Sequence, residues 1–496
     1  MTTSAEPSTS TDRVPGAQAG PGSAPSAAAG SPRRLEVDVL VIGWGKGGKT
    51  FAGAMAGAGR SVAIVEQSAA MYGGTCINIG CVPTKTLIHD AANRPEGEGA
   101  PSLEEFFRTA VQRRDTLIAK LNDVNLHMLA DRDTVTVVDG RARFVGEREV
   151  EVTPSAGGSG LAEHLVISAQ TVVINTGAVP SLPSLPGADG SRIHTSTSLQ
   201  HVEPFPRRLA VVGSGPIGLE FASMFRGFGS EVTVLARGER ILPDEDQDVA
   251  SATAELLADS GIEILTSTEA IGFEDASDSV TVLLETPSGA ESLEVDAVLL
   301  ATGRRPATEG LGLEAAGVKT DDRGAVVVDT QLRTSADGVF AMGDVHGGQQ
   351  QTYLSLDDHR IVLDALTGAG QRRRDDRVAV PATVFLDPPL SSVGIGEEQA
   401  RKDGIEVRTV MAPVAGVKAM PRPKAVGDPR GFIKVVVDAS TDQVLGARLL
   451  HVDSQEVINL LALAMRAGVT ASALRDGIWT HPSSTEALNE VLGQLS

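Results

Sequence analysis

Two segments of the chain show the same order of apolar and polar positions. In the first, an apolar run at 37–42 is followed by glycines, a stretch of small residues and a second apolar run that ends at Glu66. In the second, apolar runs at 209–212 and 231–235 enclose a glycine turn and a mainly apolar stretch of helical length. Short apolar runs joined in this way are typical of strand–helix–strand units in a parallel sheet. The pattern therefore predicts an α/β chain with two similar units.

The turn of the first unit carries the pattern GxGxxG. Its glycines permit a tight turn, a close approach of the backbone to a pyrophosphate, and packing of the helix on the strand. Glu66 ends the second strand, where an acidic side chain can hold ribose hydroxyls. Lys46 and Lys49, inside the pattern, are expected to be surface charges rather than phosphate ligands. The unit predicts a Rossmann-like dinucleotide site built on three glycines: Gly43, Gly45 and Gly48.

The second unit repeats the glycine pattern but not the acidic residue. The position equivalent to Glu66 is Ala236, and Arg237 follows it. Loss of the carboxylate removes the repulsion that excludes a 2′-phosphate, and Arg237, with Arg240 as a second candidate, can pair with that phosphate. The second nucleotide is therefore predicted to be NADPH, with NADH as the second choice; a merely solvated Arg237 is the alternative. The glycines of this unit are Gly213, Gly215 and Gly218.

The chain contains only two cysteines, Cys76 and Cys81, within the sequence GGTCINIGCVPTK at 73–85. A zinc site needs about four ligands, and no second pair of cysteines is present. A stabilising disulfide would close a very short loop and gain little. A reversible disulfide fits best, with two buried structural cysteines as the alternative. Pro83 is compatible with a helix that begins near Cys81, and Lys85 would then share its face one turn later.

The composition and charge of the chain limit which partners and which compartment are expected. The formal net charge is −21, which argues against nucleic acids and anionic membranes as partners. No apolar run is long enough to span a bilayer. Residues 1–34 are rich in Ala, Gly, Ser, Pro and Thr, so this tail is expected to be disordered and to lack the core of a secretion signal. The expected compartment is the cytoplasm, where a disulfide is more often catalytic than structural.

Further cofactor contacts are predicted outside the two fingerprints. INTGAVP at 174–180 and ATGRRP at 301–306 are strand ends with Thr-Gly turns, and a short strand ends at Gly343. A flavin passes electrons between nicotinamide and thiols, so the first fingerprint, which lies near the cysteines, is predicted to hold FAD. The additional residues expected to contact a cofactor are Gly74, Thr75, Lys85, Thr176, Gly177, Gly303, Gly343 and Asp344.

The motifs GGTCxNxGCxPTK, ATGRxP, MGD and HPSSTE, together with both fingerprints, resemble the class I flavoprotein disulfide reductases. That group includes dihydrolipoamide dehydrogenase, glutathione reductase and mercuric reductase, and the resemblance covers residues 35–496. More narrowly, the chain resembles the bacterial copper(II) reductases of reactive-chlorine resistance, through the segments at 71–91, 305–308, 323–329, 341–348, 352–362 and 475–489. It ends LNEVLGQLS, without the C-terminal cysteine pair of mercuric reductase, which disfavours mercury as the natural substrate.

The resemblance implies roles for the site residues. Cys81 resembles the flavin-facing, charge-transfer thiol, and Cys76 resembles the outer thiol that meets the substrate. Lys85 is similar to the lysine near flavin N5, and Glu220 to its ion-pair partner. The resemblance also implies a homodimer in which an acid–base dyad from one subunit acts at the cysteines of the other. The two residues that resemble this dyad are His481 and Glu486.

The expected domain organisation follows from the order of these motifs. A C-terminal α+β dimerisation domain is expected after the two dinucleotide-binding domains. The expected ranges are a tail at 1–34, an FAD-binding domain at 35–180, an NAD(P)-binding domain at 181–300, a central segment returning to FAD at 301–377, and the dimerisation domain at 378–496.

The predicted reaction passes electrons from NADPH through FAD and the Cys76–Cys81 pair to a small acceptor. The first hypothesis for the acceptor is copper(II) or another metal ion, in defence against oxidants such as reactive chlorine. No permanent metal site is expected, only transient copper near the two cysteines. The second hypothesis is a lipoyl or low-molecular-weight disulfide. The third is a dithiol redox sensor with little turnover.

Overall fold

The computed structural model describes residues 33–155 and 164–495. Most of the expected tail, at 1–32, therefore lies outside the described residues. Arg33 and Arg34, which the sequence places in that tail, instead belong to the first strand and pair with Leu165 and Val166. The strand starts before the apolar run because a neighbouring strand supplies backbone partners to these two polar residues.

The helices begin and end with the residues that suit those positions. The helix Pro216–Phe228 opens with Pro216, whose fixed φ suits a first turn. It stops at Gly229, whose φ of 110° is favoured only for glycine. Ser102 caps the helix Leu103–Ala130 by accepting a hydrogen bond from the N–H of Glu105 at 3.2 Å. The helices of the described residues are α1 (Lys46–Gly57), α2 (Gly74–Asn78), α3 (Cys81–Ala92), α4 (Leu103–Ala130), α5 (Pro216–Phe228), α6 (Gln247–Asp259), α7 (Thr352–Thr367), α8 (Glu397–Lys402), α9 (Pro421–Ala425), α10 (Ser454–Ala467), α11 (Ala471–Arg475) and α12 (Ala487–Val491).

The strands form three large sheets and two small ones. Both predicted strand–helix–strand units are present, with strands buried on both faces as in parallel sheets. The strands of the described residues are β1 (Arg33–Ile42), β2 (Val62–Glu66), β3 (Val135–Gly146), β4 (Glu149–Pro154), β5 (Leu165–Ile174), β6 (Ala178–Pro180), β7 (Ile193–His194), β8 (Arg208–Val212), β9 (Glu231–Leu235), β10 (Ile262–Leu265), β11 (Glu269–Asp275), β12 (Val280–Thr286), β13 (Gly289–Val295), β14 (Ala297–Leu300), β15 (Arg304–Pro306), β16 (Val339–Ala341), β17 (Ala382–Val384), β18 (Leu390–Gly394), β19 (Val407–Pro413), β20 (Phe432–Asp438) and β21 (Val444–Leu450).

The first sheet brings distant parts of the chain to one edge. Strands β3, β2, β1, β5 and β16 are parallel neighbours in that order, and β4 pairs antiparallel with both β3 and β5. Gly43, Asn175 and Met342 directly follow β1, β5 and β16. Since ligands of open parallel sheets bind at the carboxyl ends of the strands, these three positions mark the expected binding edge.

The second sheet, in the order β10, β9, β8, β14 and β7, is entirely parallel. An antiparallel sheet of β11, β12 and β13 accompanies it. The C-terminal sheet, β17, β18, β21, β20 and β19, is antiparallel, and α10 packs on it. These sheets confirm the predicted class of two Rossmann-like units followed by an α+β domain. Among the helices of the described residues, none is both long and apolar enough to cross a membrane.

Candidate active site

Asn175 leaves no room for a Cβ at any glycine of the first fingerprint: its backbone carbonyl faces Gly43, and its side chain faces Gly45 and Gly48. Its Oδ1 accepts a hydrogen bond from the N–H of Gly48 at 2.9 Å, and its Nδ2 donates to the carbonyl of Met342 at 2.8 Å. A Cβ at Gly45 would lie 2.5 Å from Asn175 Oδ1. One side-chain amide therefore ties the first turn of α1 to the ends of β5 and β16. Asn175 was not among the predicted site residues, although it lies within the segment INTGAVP, directly before Thr176.

Glu66 provides a buried carboxylate at the predicted ribose position. It is 7% exposed and accepts hydrogen bonds from the N–H groups of Trp44 at 3.0 Å and Ser68 at 3.3 Å. Burial raises its pKa to about 7. A cavity bordered by Gly43, Glu66 and Thr176 opens at this carboxylate. Hydroxyl groups that donate to Glu66 would offset its desolvation, which is the chemistry of an adenosine ribose.

A second cavity continues from the first towards the cysteines. Glu66 and Thr176 border both cavities, and the hydroxyl of Thr176 is buried without a hydrogen-bond partner. An elongated space that starts at a buried carboxylate and ends at a thiol fits FAD. The predicted cofactor-binding residues in the wall of the second cavity are Gly43, Gly45, Glu66, Gly74, Thr75, Thr176, Gly177, Gly343 and Asp344.

Cys76 lies at the far end of this space within hydrogen-bond distance of Cys81, and both are thiols in this structure. Cys81 is the first residue of α3, as the sequence predicts, and its sulfur lies 3.4 Å from the hydroxyl oxygen of Thr352, the first residue of α7. Cys76, in α2, borders the second cavity together with Thr352. Cys76 and Thr352 thus form part of the cavity wall, whereas Cys81 does not and lies behind it, in contact with Thr352.

The protonation of the dithiol is asymmetric. A hydrogen bond from the Cys76 thiol, the Thr352 hydroxyl and the charge of Lys85 lower the pKa of Cys81 to about 6. The same hydrogen bond and burial raise the pKa of Cys76. Cys81, at the start of a helix, is therefore the residue that carries the thiolate.

Lys85 and Glu220 form an ion pair between the two nucleotide-binding units. The Lys85 Nζ lies 2.8 Å from Glu220 Oε2, with side-chain exposures of 31% and 13%. Lys85 lies one turn after Cys81 on α3, and Glu220 lies on α5 just after the second fingerprint. The pairing that the family resemblance implies is therefore present in the geometry.

The second fingerprint has the backbone of a phosphate-binding turn. Gly213 has a φ of 116°, and a Cβ at Gly218 would lie 2.1 Å from the Gly213 carbonyl oxygen. A Cβ at Gly215 would meet nothing within 4 Å, so this glycine faces open space. Gly215 and Gly303 border the same small cavity. The turn thus leaves room for a pyrophosphate above Gly215.

The predicted 2′-phosphate contact lies beyond this turn. Ala236 is fully buried, whereas the Arg237 side chain is 82% exposed and lies 3.9 Å from Glu269 in a loose ion pair. The side chain of Arg240 already bonds to Gln247 and to the Pro243 carbonyl. Arg237 is therefore the better placed of the two arginines for an incoming anion.

His481 and Glu486 form the expected pair. The Nδ1 of His481 lies 2.9 Å from Glu486 Oε1, and Glu486 Oε2 accepts from the N–H of Ser483 at 2.8 Å. This fixes the ring and leaves Nε2 for proton transfer. The His481 side chain is 72% exposed. Within residues 33–155 and 164–495, no hydrogen bond or ion pair joins His481 to either cysteine.

The expectation that Lys49 is a surface charge was wrong. Lys49 is 5% exposed, and its Nζ donates a hydrogen bond to the side-chain oxygen of Asn125 on α4. Burial, the largest cause, lowers its pKa to about 8, and the charge of Lys46 adds to this effect. The fingerprint shows that position 49 lies on α1, but not that α4 covers that side of the helix. Lys46 remains partly exposed.

Comparisons with known proteins agree with this architecture. A family model described as pyridine nucleotide-disulphide oxidoreductase matches residues 37–358, and the model of its dimerisation domain matches residues 380–492. The probable pyridine nucleotide-disulfide oxidoreductase RclA of Escherichia coli K12 is 45% identical over 453 residues, covering 91% of this chain and 98% of RclA. A dihydrolipoyl dehydrogenase of Thermus scotoductus is 36% identical over 467 residues, covering 92% and 97%.

A solved structure extends the similarity to three dimensions. The Cu(II) complex of the HOCl-induced flavoprotein disulfide reductase RclA from Escherichia coli superposes with a TM-score of 0.86. It is 44% identical in sequence and covers 92% of this chain and 99% of the RclA chain. The match to a dimerisation domain supports a homodimer.

Proposed function

This chain belongs to the pyridine nucleotide-disulphide oxidoreductase family, and we propose that it is an NADPH-dependent flavoenzyme that reduces copper(II) through Cys76 and Cys81. The observation that carries the proposal is the dithiol, with Cys76 at the end of the elongated cavity and the pKa of the adjoining Cys81 lowered to about 6. Its similarity to a flavoprotein whose structure is a Cu(II) complex supports the choice of metal. We propose a homodimer that acts in the cytoplasm against oxidants such as reactive chlorine.

The residues divide the work between binding and electron transfer. Glu66, Thr176 and Asp344 would hold FAD, which when bound would supply hydride acceptance from NADPH and electron-pair transfer to the disulfide. Arg237 binds the 2′-phosphate and thereby favours NADPH over NADH. Lys85, paired with Glu220, places a cation beside the flavin, where the nicotinamide-binding unit meets the cysteine-bearing helix.

Oxidation of one dithiol supplies the electrons that reduce two copper(II) ions. The dithiol gives one electron to each of two copper(II) ions, which become copper(I), while Cys76 and Cys81 form a disulfide. Because Cys81 starts as the thiolate, only the proton of the Cys76 thiol is released. Thiolate sulfur is a soft ligand that favours copper(I). Because electron transfer to the metal requires no protonated leaving group, His481 is not needed for it.

A disulfide is the second candidate acceptor, and the intact His481–Glu486 pair favours it. Reduction of a disulfide produces a leaving thiolate that must be protonated, and a histidine fixed by a carboxylate is suited to that step. In the proposed homodimer, the dyad of one subunit would act at the dithiol of the other.

A panel of acceptors tests the assignment. The purified enzyme is supplied with NADPH and, in turn, with copper(II), mercury(II), lipoamide, glutathione disulfide, mycothiol disulfide or oxygen, while NADPH consumption is followed. The expected result is turnover with copper(II) well above the oxygen background. Fast turnover of one disulfide with negligible copper activity would move the assignment to a disulfide reductase. Very slow oxidation with every acceptor would indicate the redox-sensor function.

A further inference from the structure

Phe385 contacts both members of the Lys85–Glu220 ion pair. The Lys85 Nζ lies 4.5 Å from the centre of the Phe385 ring. The backbone N–H of the same residue donates a hydrogen bond to Glu220 Oε1 at 2.9 Å. One residue of the C-terminal domain therefore holds the cation with its side chain and the carboxylate with its backbone.

The neighbours of Phe385 are anchored to the same region of the site. The hydroxyl of Tyr353, which follows Thr352 on α7, donates to the carbonyl of Pro381. On the other side, the N–H of Asp387 donates to the Ser223 hydroxyl of α5 at 3.2 Å. Residues 381–387 thus span from the helix beside Cys81 to the helix that carries Glu220.

The Lys85 ammonium has few fixed contacts apart from this segment. Its side chain is 31% exposed, and within the described part of the chain its Nζ hydrogen-bonds only to Glu220 and, at 3.3 Å, to the Thr84 hydroxyl. An ion pair with this exposure holds a long, flexible side chain weakly, because solvent screens it and rotamer freedom opposes it. An aromatic face attracts the ammonium further and restricts where it can lie.

From these contacts we infer that Phe385 is a positioning residue for hydride transfer. Its ring keeps the Lys85 ammonium in place on the ion pair, so the C-terminal domain fixes a charge at the flavin site of its own subunit. This rests on the proposed role of Lys85 beside the flavin. Phe385 does not itself supply a reacting group.

Substitutions of Phe385 distinguish the effect of its ring on Lys85 from the effect of its backbone N–H on Glu220. Phe385→Leu keeps the N–H that binds Glu220 and keeps an apolar side chain of similar volume, but it removes the aromatic face. Phe385→Tyr keeps the face and serves as the matched control, with Phe385→Met as a second ring-free variant if the leucine variant folds poorly. FAD content and thermal unfolding identify any variant whose effect is only structural.

The experiment measures reduction of bound FAD by NADPH in stopped flow, with no acceptor present. Phe385→Leu should slow reduction about threefold to tenfold, and Phe385→Tyr by less than about twofold, as expected for a cation–π contact. The pH midpoint of the thiolate-to-flavin charge-transfer band should also rise in Phe385→Leu, since the Lys85 charge lowers the pKa of Cys81.

A double-mutant cycle with Lys85→Met decides the interpretation. If the ring acts through Lys85, Phe385→Leu should slow reduction no further once Lys85 is replaced. Equal slowing in both backgrounds, or normal rates and midpoints in Phe385→Leu, would overturn the inference while leaving the role of Lys85 intact. Unchanged reduction in Lys85→Met alone would overturn the proposed role of Lys85 and, with it, the inference.

Discussion

The sulfur of Cys81 lies 3.4 Å from the hydroxyl oxygen of Thr352, although 271 residues separate them in the chain. Each residue opens a helix, so a thiolate on Cys81 meets the positive ends of both α3 and α7. The hydroxyl adds a hydrogen bond to the charged sulfur, and Lys85 adds a positive charge. The thiolate is therefore favoured by groups from two distant segments.

Replacement of Thr352 by valine should raise the pKa of Cys81. In the wild type that pKa is lowered to about 6, so the thiolate is present above this pH and lost below it. Loss of one hydrogen bond to a charged group should move the midpoint about one pH unit higher. The measurement is the charge-transfer absorbance of the two-electron-reduced enzyme against pH. Thr352→Ser, which keeps the hydroxyl, is the control; the same midpoint in both variants would contradict this role.

The two acceptor classes should depend differently on the dithiol and the dyad. Cys76→Ala and Cys81→Ala should each lose most copper-dependent NADPH oxidation. His481→Gln should lose far less of it, because reduction of a metal ion needs no proton donor of matched pKa. With lipoamide, His481→Gln should be the damaging change, since the leaving thiolate must be protonated. NADPH consumption by these variants with each acceptor is the measurement; a copper rate that collapses in His481→Gln would refute this division.

Arg237→Ala should reduce the preference for NADPH over NADH. A charge-assisted contact to the 2′-phosphate contributes about 1.5–3 kcal/mol, so the ratio of kcat/KM values should fall roughly tenfold to a hundredfold. Ala236 is buried, so the exposed Arg237 is the side chain at this strand end placed to contact the phosphate. Arg240→Ala, which alters an arginine already bonded to Gln247, is the control. A ratio that stays constant in Arg237→Ala would show that this arginine is only solvated.

Lys434→Met should destabilise the protein far more than loss of a surface ion pair. Lys434 is 3% exposed on β20 and lies 2.9 Å from Asp246 and 2.7 Å from Asp248, which belong to the NAD(P)-binding unit. Its removal leaves Asp246, 6% exposed, as a buried charge without its cation, which costs about 3–5 kcal/mol. The free energy of unfolding of the FAD-bound protein is the measurement.

The matched control for that change is Arg401→Met. Arg401 is 66% exposed and pairs with Glu397, a carboxylate that also lies 3.2 Å from Lys434. An exposed pair of this kind contributes about 0–1 kcal/mol, so the control should unfold nearly as the wild type does. Equal loss of stability in the two variants would mean that burial of Lys434 is not the cause.

The sequence by itself determined the features that depend on short stretches of chain. The order of apolar and polar positions, with three glycines at fixed spacing, predicts each strand–turn–helix unit, because turn geometry and helix packing are local requirements. The start of α3 at Cys81 was predictable for the same reason. So was the pairing of His481 with Glu486, since five residues and one turn separate them.

Only the tertiary structure decided which distant side chains complete the site. Asn175 contacts the first fingerprint because β5 ends at the same sheet edge. Thr352 contacts Cys81 because α7 begins at that edge. Phe385 reaches Lys85 because the C-terminal domain docks there, and Lys49 is buried because α4 covers it. Burial and long-range contact depend on what packs against a residue, and the local sequence does not specify that partner.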